Sequence, residues 1–335
     1  MIAHIVGDRV YNYLYCMGRI GIAGTTWRQP LDFALGSQPP NSIYVLNRGA
    51  ESVPSQGISK CTLDHGFIWD CRGPGYPGGE ASWPISVDLD RQENVYVCDE
   101  YTSQINIFDK DGDLQGGWGV KGDGDGELNG PSGLAFDHEG NLYVVDSKNH
   151  RVQKFSGDGK FLAKWGKHGA GTGELNMPWG IGIDKDGNVY VADWGNDRVQ
   201  KFTPEGEFLA TFGSHGTGDG ELRRPTAMAI DGEGDVYVTD WGNDRLNIYA
   251  PDGSFLTAFL GDADKLSPWA QATVDADPNL TKARQIVDLT EEMRFKRPVA
   301  VNVDDEGRIM VLESQKARLQ IYVKEKDFAS PPLNL

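Results

Sequence analysis

The chain has 335 residues, of which 39% are hydrophobic and 43 are glycine, and its formal net charge is −17 at pH 7. So acidic a chain argues against nonspecific binding to nucleic acid or to anionic membranes, because both need a basic protein surface. Residues 1–20 lack the features of a secretory signal, and no apolar stretch approaches the roughly 18 residues of a membrane span. We therefore expect a soluble, cytoplasmic protein whose partner is neither nucleic acid nor membrane.

A repeat of 47 residues organises most of the chain. Each copy starts with a proline, has a tyrosine twelve residues later and has an aspartate three residues after that. Four copies in constant register begin at Pro84, Pro131, Pro178 and Pro225. In the copy that starts at Pro178, four short strands separated by turns are predicted at 180–184, 189–193, 198–203 and 208–212. A repeat of about 40–50 residues made only of short strands and turns is typical of a β-propeller blade.

The two ends of the chain predict how the blades close into a ring. A degenerate copy starts at Pro30, where Pro39-Pro40 delays the tyrosine by two residues, and a last copy starts at Pro298 and ends after its third strand. Residues 9–17 form a predicted strand outside any complete copy, and pairing it with the last copy would remove the exposed edges of an open array. We predict a single all-β domain, a six-bladed β-propeller closed by this N-terminal strand. Its predicted parts are 1–17 (closing strand of the last blade), 30–71, 84–118, 131–165, 178–212 and 225–260 (blades one to five), 262–297 (helical insertion) and 298–325 (blade six).

One acidic position recurs in nearly every blade and predicts a structural role. Its members are Asp99, Asp146, Asp193, Asp240 and Glu313, and in the last four blades an arginine follows five residues later. A functional site would break this symmetry, so we expect each carboxylate to cap a turn and to pair with its arginine. The acidic loop 122–127 looks suited to calcium, but related loops recur at 171–174 and 218–221, which indicates a structural turn.

The four cysteines, at positions 16, 61, 71 and 98, do not have the spacing of a metal site. Cys61 and Cys71 lie at equal distances from Gly66, so they either face each other across a hairpin or remain free thiols. Free thiols are the expectation for a protein without an export signal.

The repeat text PWGIGIDKDGNVYVADWGNDRVQKF, residues 178–202, resembles the NHL repeat family, and Asn149-His150-Arg151 comes close to that family's Asn-His-Leu. The resemblance covers residues 30–325 and implies a six-bladed propeller. NHL propellers include protein- and RNA-binding modules. They also resemble stand-alone enzymes, namely peptidyl-α-hydroxyglycine lyase and gluconolactonase-like hydrolases. A fold shared this widely does not choose a chemistry.

The metal ligands that these enzymes imply are not matched in this chain. The zinc histidines of the lyase stand beside the blade-starting prolines, where this chain has no histidine, and the lactonase-type carboxylate and asparagine ligands find no clear counterpart. The sequence therefore names no metal ligand and leaves a divalent cofactor such as calcium or zinc open. Asp32 is the one carboxylate expected to point toward the mouth of the central channel, and it is the single candidate catalytic residue.

An insertion interrupts the repeat between blades five and six. Pro225 and Pro298 are 73 residues apart, which is 26 more than the standard spacing. Ser267-Pro268 and Asp277-Pro278 each combine an N-cap residue with a proline at the first helical position. We predict one or two short helices, which either lie over the top face as a lid or pack on the rim.

Cations and tryptophans gather at the expected top face of the ring, where the loops between blades meet. The cations directly before the prolines of blades one, five and six are Arg28, Arg223, Arg224, Lys296 and Arg297. They predict an anion site, unless they pair with insertion carboxylates such as Glu291 and Glu292. The tryptophans in the loops are Trp83, Trp179, Trp194 and Trp241, which would either stack on a ligand or pack between blades.

Two functions follow from these patterns. The leading hypothesis is a hydrolase or lyase that binds a small anionic molecule under the insertion, at blades five, six and one. The alternative is a protein-interaction scaffold that uses the top face. A small-molecule site needs a concave pocket, whereas a protein partner needs a flat exposed apolar patch.

Overall fold

The computed structural model of the chain describes residues 3–21, 25–49, 56–72, 76 and 82–326. In this part of the chain, five four-stranded antiparallel sheets and one five-stranded sheet form the six blades. The six-bladed propeller expected from the repeat is therefore confirmed.

The strands follow the predicted order, and the first strand of each blade lines the central channel. The N-terminal strands are β1 (Ala3–Val6) and β2 (Arg9–Met17), and blade one contains β3 (Pro30–Gly36), β4 (Ser42–Asn47), β5 (Gly57–Thr62) and β6 (Phe67–Arg72). Blade two contains β7 (Pro84–Leu89), β8 (Val95–Asp99), β9 (Gln104–Phe108) and β10 (Leu114–Trp118), and blade three contains β11 (Pro131–Phe136), β12 (Leu142–Asp146), β13 (Arg151–Phe155) and β14 (Phe161–Trp165). Blade four contains β15 (Ile181–Ile183), β16 (Val189–Asp193), β17 (Arg198–Phe202) and β18 (Phe208–Phe212), and blade five contains β19 (Pro225–Ile230), β20 (Val236–Asp240), β21 (Arg245–Tyr249) and β22 (Phe255–Phe259). Blade six contains β23 (Pro298–Val303), β24 (Arg308–Glu313) and β25 (Arg318–Lys324).

The ring closes through the last blade, as expected. Strand β2 pairs antiparallel with β25, from Tyr11 opposite Lys324 to Met17 opposite Leu319. The sheet order is β1-β2-β25-β24-β23, so two N-terminal strands join three C-terminal ones. Strand β1 is an addition to the single closing strand expected from the sequence, and it forms a hairpin with β2.

A charged cluster connects the closing blade to blade five. The Lys324 ammonium lies 2.7 Å from the carboxylates of Asp231 and Asp235 and 2.6 Å from that of Glu233, and Arg9 Nε lies 2.6 Å from Asp235. These three acidic residues are the one group of three potential metal ligands in the described part of the chain. Because Lys324 already takes the place of a cation among them, we assign the cluster to ring closure.

The recurring carboxylates pair with their arginines as predicted. Arg151 Nε lies 2.7 Å from Asp146, and the equivalent pairs in the next three blades are 2.8 Å (Asp193–Arg198), 2.8 Å (Asp240–Arg245) and 2.7 Å (Glu313–Arg318). All four carboxylates are fully buried. Arg151 also donates to the backbone carbonyls of Gly124 and Glu127, so the acidic loop 122–127 is a structural turn held by an arginine.

The cysteines are free thiols. Cys61 on β5 lies opposite Phe67, and Cys71 on β6 lies opposite Ile58, so the two do not face each other across the hairpin.

The insertion forms three short helices rather than one or two: α1 (Pro268–Asp275), α2 (Pro278–Arg284) and α3 (Thr290–Met293). Ser267 and Asp277 cap the first two, because their side chains accept the backbone N–H groups of Ala270 and Asn279. Of the helices in the described part of the chain, none is long and apolar enough to cross a bilayer.

The insertion packs on the rim and does not form a lid. Trp269 on α1 lies edge-on to Trp27, with 6.1 Å between ring centroids, and its indole N–H donates to the His65 carbonyl. The Ser267 hydroxyl donates to the carbonyl of Gly18. These contacts hold α1 beside the closing strand and blade one, and no residue of the three helices lines the cavity at the channel mouth.

Candidate functional site at the channel mouth

Two connected cavities lie along the propeller axis. The outer one, at the channel mouth, has a volume of ≈ 510 Å³, and the inner one, between the first strands of the blades, has a volume of ≈ 290 Å³. Four residues line both: Leu31, Trp179, Thr226 and Val299. Each directly follows a blade-starting proline, so the start of the inner strand marks the boundary between mouth and channel.

The structure brings five of the predicted ligand-binding residues to the mouth cavity: Arg28, Arg297, Trp179, Trp194 and Trp241. Four others do not line it: Arg223, Arg224, Lys296 and Trp83. The side chain of Lys296 pairs instead with Asp244 at 2.7 Å. The side chain of Arg223 is exposed, and its backbone makes the fixed contacts: its N–H donates to Asp240 and its carbonyl accepts the N–H of Gly242.

Three arginine–tryptophan pairs stand around the mouth. The guanidinium carbon of Arg224 lies 4.7 Å from the ring centroid of Trp194, and that of Arg297 lies 5.0 Å from the centroid of Trp241. The third guanidinium carbon, of Arg48, lies 4.8 Å from the centroid of Trp83. Such cation–π contacts hold a guanidinium flat on a ring face while its N–H edge stays free to donate.

Each pair joins two neighbouring blades through the same two positions. One partner directly precedes a blade-starting proline, and the other stands at the end of the second strand of the previous blade. Arg224 and Arg297, which precede prolines, have left-handed backbone conformations, with φ of 55° and 53°. Their backbone N–H groups donate to Asp197 and Asp244, both at 2.7 Å or less, which fixes this conformation.

Arg48 also lines the mouth cavity, although it was not among the residues predicted from the sequence. In the regular repeat the equivalent residues are Trp194 and Trp241, sixteen residues after the proline. Pro39-Pro40 delays blade one by two residues, so Arg48 falls on this position eighteen residues after Pro30. An alignment that allows for the shift would have identified it.

The arginines at the mouth are not neutralised by the insertion. Glu292 pairs with Arg284 at 2.7 Å, and Lys316 donates to the backbone carbonyl of Glu291. Within the described part of the chain, none of the three arginines that line the mouth cavity, Arg28, Arg48 and Arg297, forms an ion pair with a carboxylate. The expected alternative, in which Glu291 and Glu292 absorb their charge, is therefore wrong.

The inner channel is polar on one side and lined by small residues on the other. Apart from Ser132 and Thr226, which directly follow blade-starting prolines, its polar side chains come from three adjacent blades, six, one and two: Asn302, Asp32, Ser86 and Asp88. Blades three to five place glycine or alanine at the corresponding points of the wall: Ala135, Gly180, Gly182, Ala227 and Ala229. This difference between blades breaks the symmetry of the repeat, as a functional site does.

Asp32 combines a fixed orientation with a raised pKa. One carboxylate oxygen accepts the Ser86 hydroxyl at 2.6 Å and the Val87 N–H at 3.0 Å, and the other accepts its neighbour's N–H at 2.9 Å. Burial raises the pKa of Asp32 to about 6, although these hydrogen bonds oppose the rise. The carboxyl group is thus poised to change protonation state near neutral pH.

Asp88 is a second channel carboxylate, which was not among the residues predicted from the sequence. It accepts the backbone N–H groups of Leu89 and Phe136, both at 2.8 Å. Burial, with a smaller contribution from the nearby charge of Asp32, raises the pKa of Asp88 to about 7. The signal in the sequence was its position four residues after Pro84, where blades one, three, four and five have only alanine or glycine.

The described residues do not offer the histidine set of a lyase-type metal centre. Apart from the cluster around Lys324, they contain no group of three His, Cys, Asp or Glu side chains placed to hold a metal ion. The closest pair of histidine rings is His150 and His168, at 4.4 Å between centroids. His150 Nδ1 accepts the N–H of Met177 at 3.0 Å, which places the proton of the neutral ring on Nε2 and leaves no free lone pair for a metal.

Comparison with known proteins places this geometry among six-bladed propellers. A family model described as "SMP-30/Gluconolactonase/LRE-like region" matches residues 122–217. Comparison with curated protein sequences found no match.

Three solved structures share the fold over nearly the whole chain. A protein of unknown function from Bacteroides thetaiotaomicron has a TM-score of 0.65 at 17% identity and covers 95% of this chain and 76% of its own. A gluconolactonase from Xanthomonas campestris has a TM-score of 0.60 at 14% identity, with coverage of 96% and 91%. Virginiamycin B lyase from Staphylococcus aureus has a TM-score of 0.57 at 13% identity, with coverage of 93% and 99%. The chain is therefore a six-bladed β-propeller that shares its fold with a lactonase and a lyase and that matches the SMP-30/gluconolactonase-like model in its central repeats.

Proposed function

We propose that the channel mouth binds a small organic anion with a flat apolar body, and that the protein is a hydrolase or lyase acting on it. The observation that carries the proposal is one concave cavity of ≈ 510 Å³ with three arginines and three tryptophans in its wall. Its volume lies within the roughly 300–1,000 Å³ typical of small-molecule sites. A concave cavity of this kind favours a small ligand over the flat patch that a protein partner would need.

The two residue types have complementary roles. Arg28 and Arg297 present guanidinium groups that make paired hydrogen bonds to a carboxylate or phosphate. Trp179 and Trp241 supply aromatic faces on which a flat ligand stacks. Because no described carboxylate pairs with these arginines, an anion needs to displace no ion pair when it binds.

The reaction is assigned to Asp32. This residue lines the inner channel directly after Leu31, which lines both cavities, so a ligand held at the mouth reaches toward its carboxylate. A carboxyl group with a pKa of about 6 is largely ionised at neutral pH and accepts a proton from water or from an acidic C–H group. The arginines would stabilise negative charge that develops on the ligand. The lactonase and the lyase that share the fold support this choice of reaction classes.

Calorimetry with matched anionic and neutral ligands tests the binding proposal. We expect naphthalene-2-carboxylate and phenyl phosphate to bind and naphthalene-2-carboxamide to bind at least about tenfold more weakly, since hydrogen bonds to charged groups contribute roughly 1.5–3 kcal/mol. Arg28→Gln and Arg297→Gln should each lower the affinity for the anions and leave the affinity for the amide unchanged. Arg223→Gln is the control, because it removes the same charge outside the cavity. Equal binding of acid and amide, or an equal effect of Arg223→Gln, would contradict the proposal.

A separate assay tests the reaction. Wild type and Asp32→Asn are compared for turnover of aryl lactones and aryl esters at pH 7.5, after calorimetry has shown that both bind naphthalene-2-carboxylate. We expect turnover by the wild type only. If the anions bind and nothing turns over, the hydrolase assignment is wrong while the binding site stands. If no anion binds at all, the scaffold alternative becomes the better explanation of the top face.

A further inference from the structure

A third cavity, of ≈ 350 Å³, adjoins the channel mouth on the side of blade six. We call it the side pocket. It lies between helix α1, the end of strand β2 and the loop that follows β24. Ile20 and Gln315 line both the mouth cavity and the side pocket, and both side chains are exposed. The two cavities therefore meet at these two side chains.

Most charged side chains in the wall of the side pocket have polar partners, so aliphatic surface remains available between them. Arg318 pairs with Glu313 at 2.7 Å, and Lys316 donates to three backbone carbonyls of helix α3 and its C-terminal end. Arg19 donates to the Thr273 hydroxyl, and Glu292 pairs with Arg284. The aliphatic part of the wall is formed by Ile20, Leu266, Ala270 and Val274, and the uncharged remainder comprises Cys16, Gly18, Ser267, Thr273 and Gln315.

The junction between blades six and one is open toward this pocket. An arginine–tryptophan pair stands at the junctions one/two, four/five and five/six, whereas the residue types at the junctions two/three and three/four form no such pair. At the junction six/one, the same two positions carry Ser314 and Gln29, which line the mouth cavity without forming such a pair. The insertion, which has no counterpart in the other blades, thus builds a pocket beside one of the junctions that lack a stacked pair.

We propose that the ligand is amphiphilic, with its anionic flat head in the mouth cavity and an aliphatic tail that crosses Ile20 and Gln315 into the side pocket. This inference rests on the proposed function and specifies its substrate class. It also explains the insertion, which is a wall for the tail instead of a lid. Leu266, Ala270 and Val274 would contact the tail, and the arginines at the mouth would hold the head.

A series of para-alkyl benzoates, from methyl to octyl, measures the tail contribution by calorimetry. Burial of each methylene is expected to raise the affinity by at most roughly fourfold, and the gain should stop once the pocket is full. Ala270→Phe fills the pocket and should abolish the dependence on chain length while the methyl compound still binds. Ala272→Phe is the matched control, since Ala272 is exposed on the same helix and does not line the pocket. Val274→Phe serves as a second filling variant if Ala270→Phe does not fold.

The outcomes separate this inference from the proposed function. If the methyl compound binds and affinity does not rise along the series, or rises equally in the filled variants, the tail pocket is wrong and the anion site stands. If the methyl compound does not bind, both proposals fail. Arg297→Gln should weaken every member of the series by the same factor, because it acts on the head alone.

Discussion

The ring of buried carboxylates and the channel mouth are both built from equivalent positions of successive blades. The ring has nearly the same residue types in every blade, whereas the residue types at the mouth differ between blades. Four blades place the same carboxylate–arginine pair at the same distance, 2.7–2.8 Å, within the same turn. At the mouth, the position that holds Trp194 in blade four holds Arg48 in blade one and Ser314 in blade six. Uniform positions hold the blades together, and variable positions shape a cavity, so departures from the repeat locate the site.

The largest effect should come from breaking the uniform ring. Asp193→Ala leaves Arg198 without its buried counter-charge, and removal of one partner of a buried ion pair costs about 3–5 kcal/mol. Chemical denaturation in urea measures this loss. The control is Asp186→Ala, which removes an exposed carboxylate of the same blade and should change the free energy of unfolding by less than about 0.5 kcal/mol. Equal effects of the two substitutions would contradict the structural role of the ring.

The charged cluster at the ring closure should make the stability of the protein depend on pH in the acid range. Hydrogen bonds from Arg9 and Lys324 lower the pKa of Asp235, although burial opposes this. An aspartate with a lowered pKa stabilises the fold above its unfolded pKa, and this contribution is lost as the pH falls through the folded value. We expect Lys324→Met to destabilise the protein at pH 7 and to reduce the loss of stability between pH 5 and pH 3. An unchanged pH dependence in urea denaturation would show that Lys324 does not hold Asp235.

Asp32 should show the opposite pH dependence. Because its folded pKa is raised to about 6, it contributes stability below its unfolded pKa, and that contribution is lost as the pH rises through about 6. Unfolding free energy should therefore fall between pH 4 and pH 7, and Asp32→Asn should flatten this part of the profile. Asp88→Asn should flatten a similar range, since the pKa of Asp88 is raised to about 7. A wild-type profile that rises over this range, and does so equally in both variants, would argue against neutral channel carboxyls.

The smallest expected effect on stability comes from substituting an arginine in one of two neighbouring arginine–tryptophan pairs, and only one of the two substitutions should also lower anion affinity. Arg224 stacks on Trp194 outside the mouth cavity, whereas Arg297 stacks on Trp241 and lines the cavity. Arg224→Gln should cost roughly 0.5–1 kcal/mol of stability through the lost cation–π contact and leave anion affinity unchanged. Thermal unfolding and calorimetry of Arg224→Gln and Arg297→Gln test the distinction. Similar losses of affinity in both would place the anion elsewhere.

Features governed by neighbouring residues were predictable from the sequence. The constant spacing of the prolines predicted the blades, the unpaired strands at the two ends predicted the closure, and Ser267-Pro268 predicted the start of α1. The blades and the start of α1 depend on local turn, cap or strand preferences, whereas the closure joins distant strands and follows from the repeat, which leaves an incomplete copy at the C-terminal end and an extra strand at the N-terminal end. The carboxylate–arginine ring was equally accessible, because its two members stand five residues apart in one blade.

Features governed by distant contacts were not predictable. The placement of the insertion depends on the hydrogen bond between Trp269 and His65, which are 204 residues apart. Arg223 and Arg224 are adjacent in the sequence, yet only Arg224 stacks on a tryptophan, because a hydrogen bond to Asp197 from the preceding blade fixes its left-handed backbone. Membership of a cavity is set by such pairings between blades.

Calorimetric titration of naphthalene-2-carboxylate into wild type, Arg297→Gln and Arg223→Gln tests the central claim most directly. We expect binding to the wild type, a loss of affinity of at least about tenfold in Arg297→Gln and wild-type affinity in Arg223→Gln. Binding that is the same in all three proteins, or absent from all three, would contradict an anion site at the channel mouth.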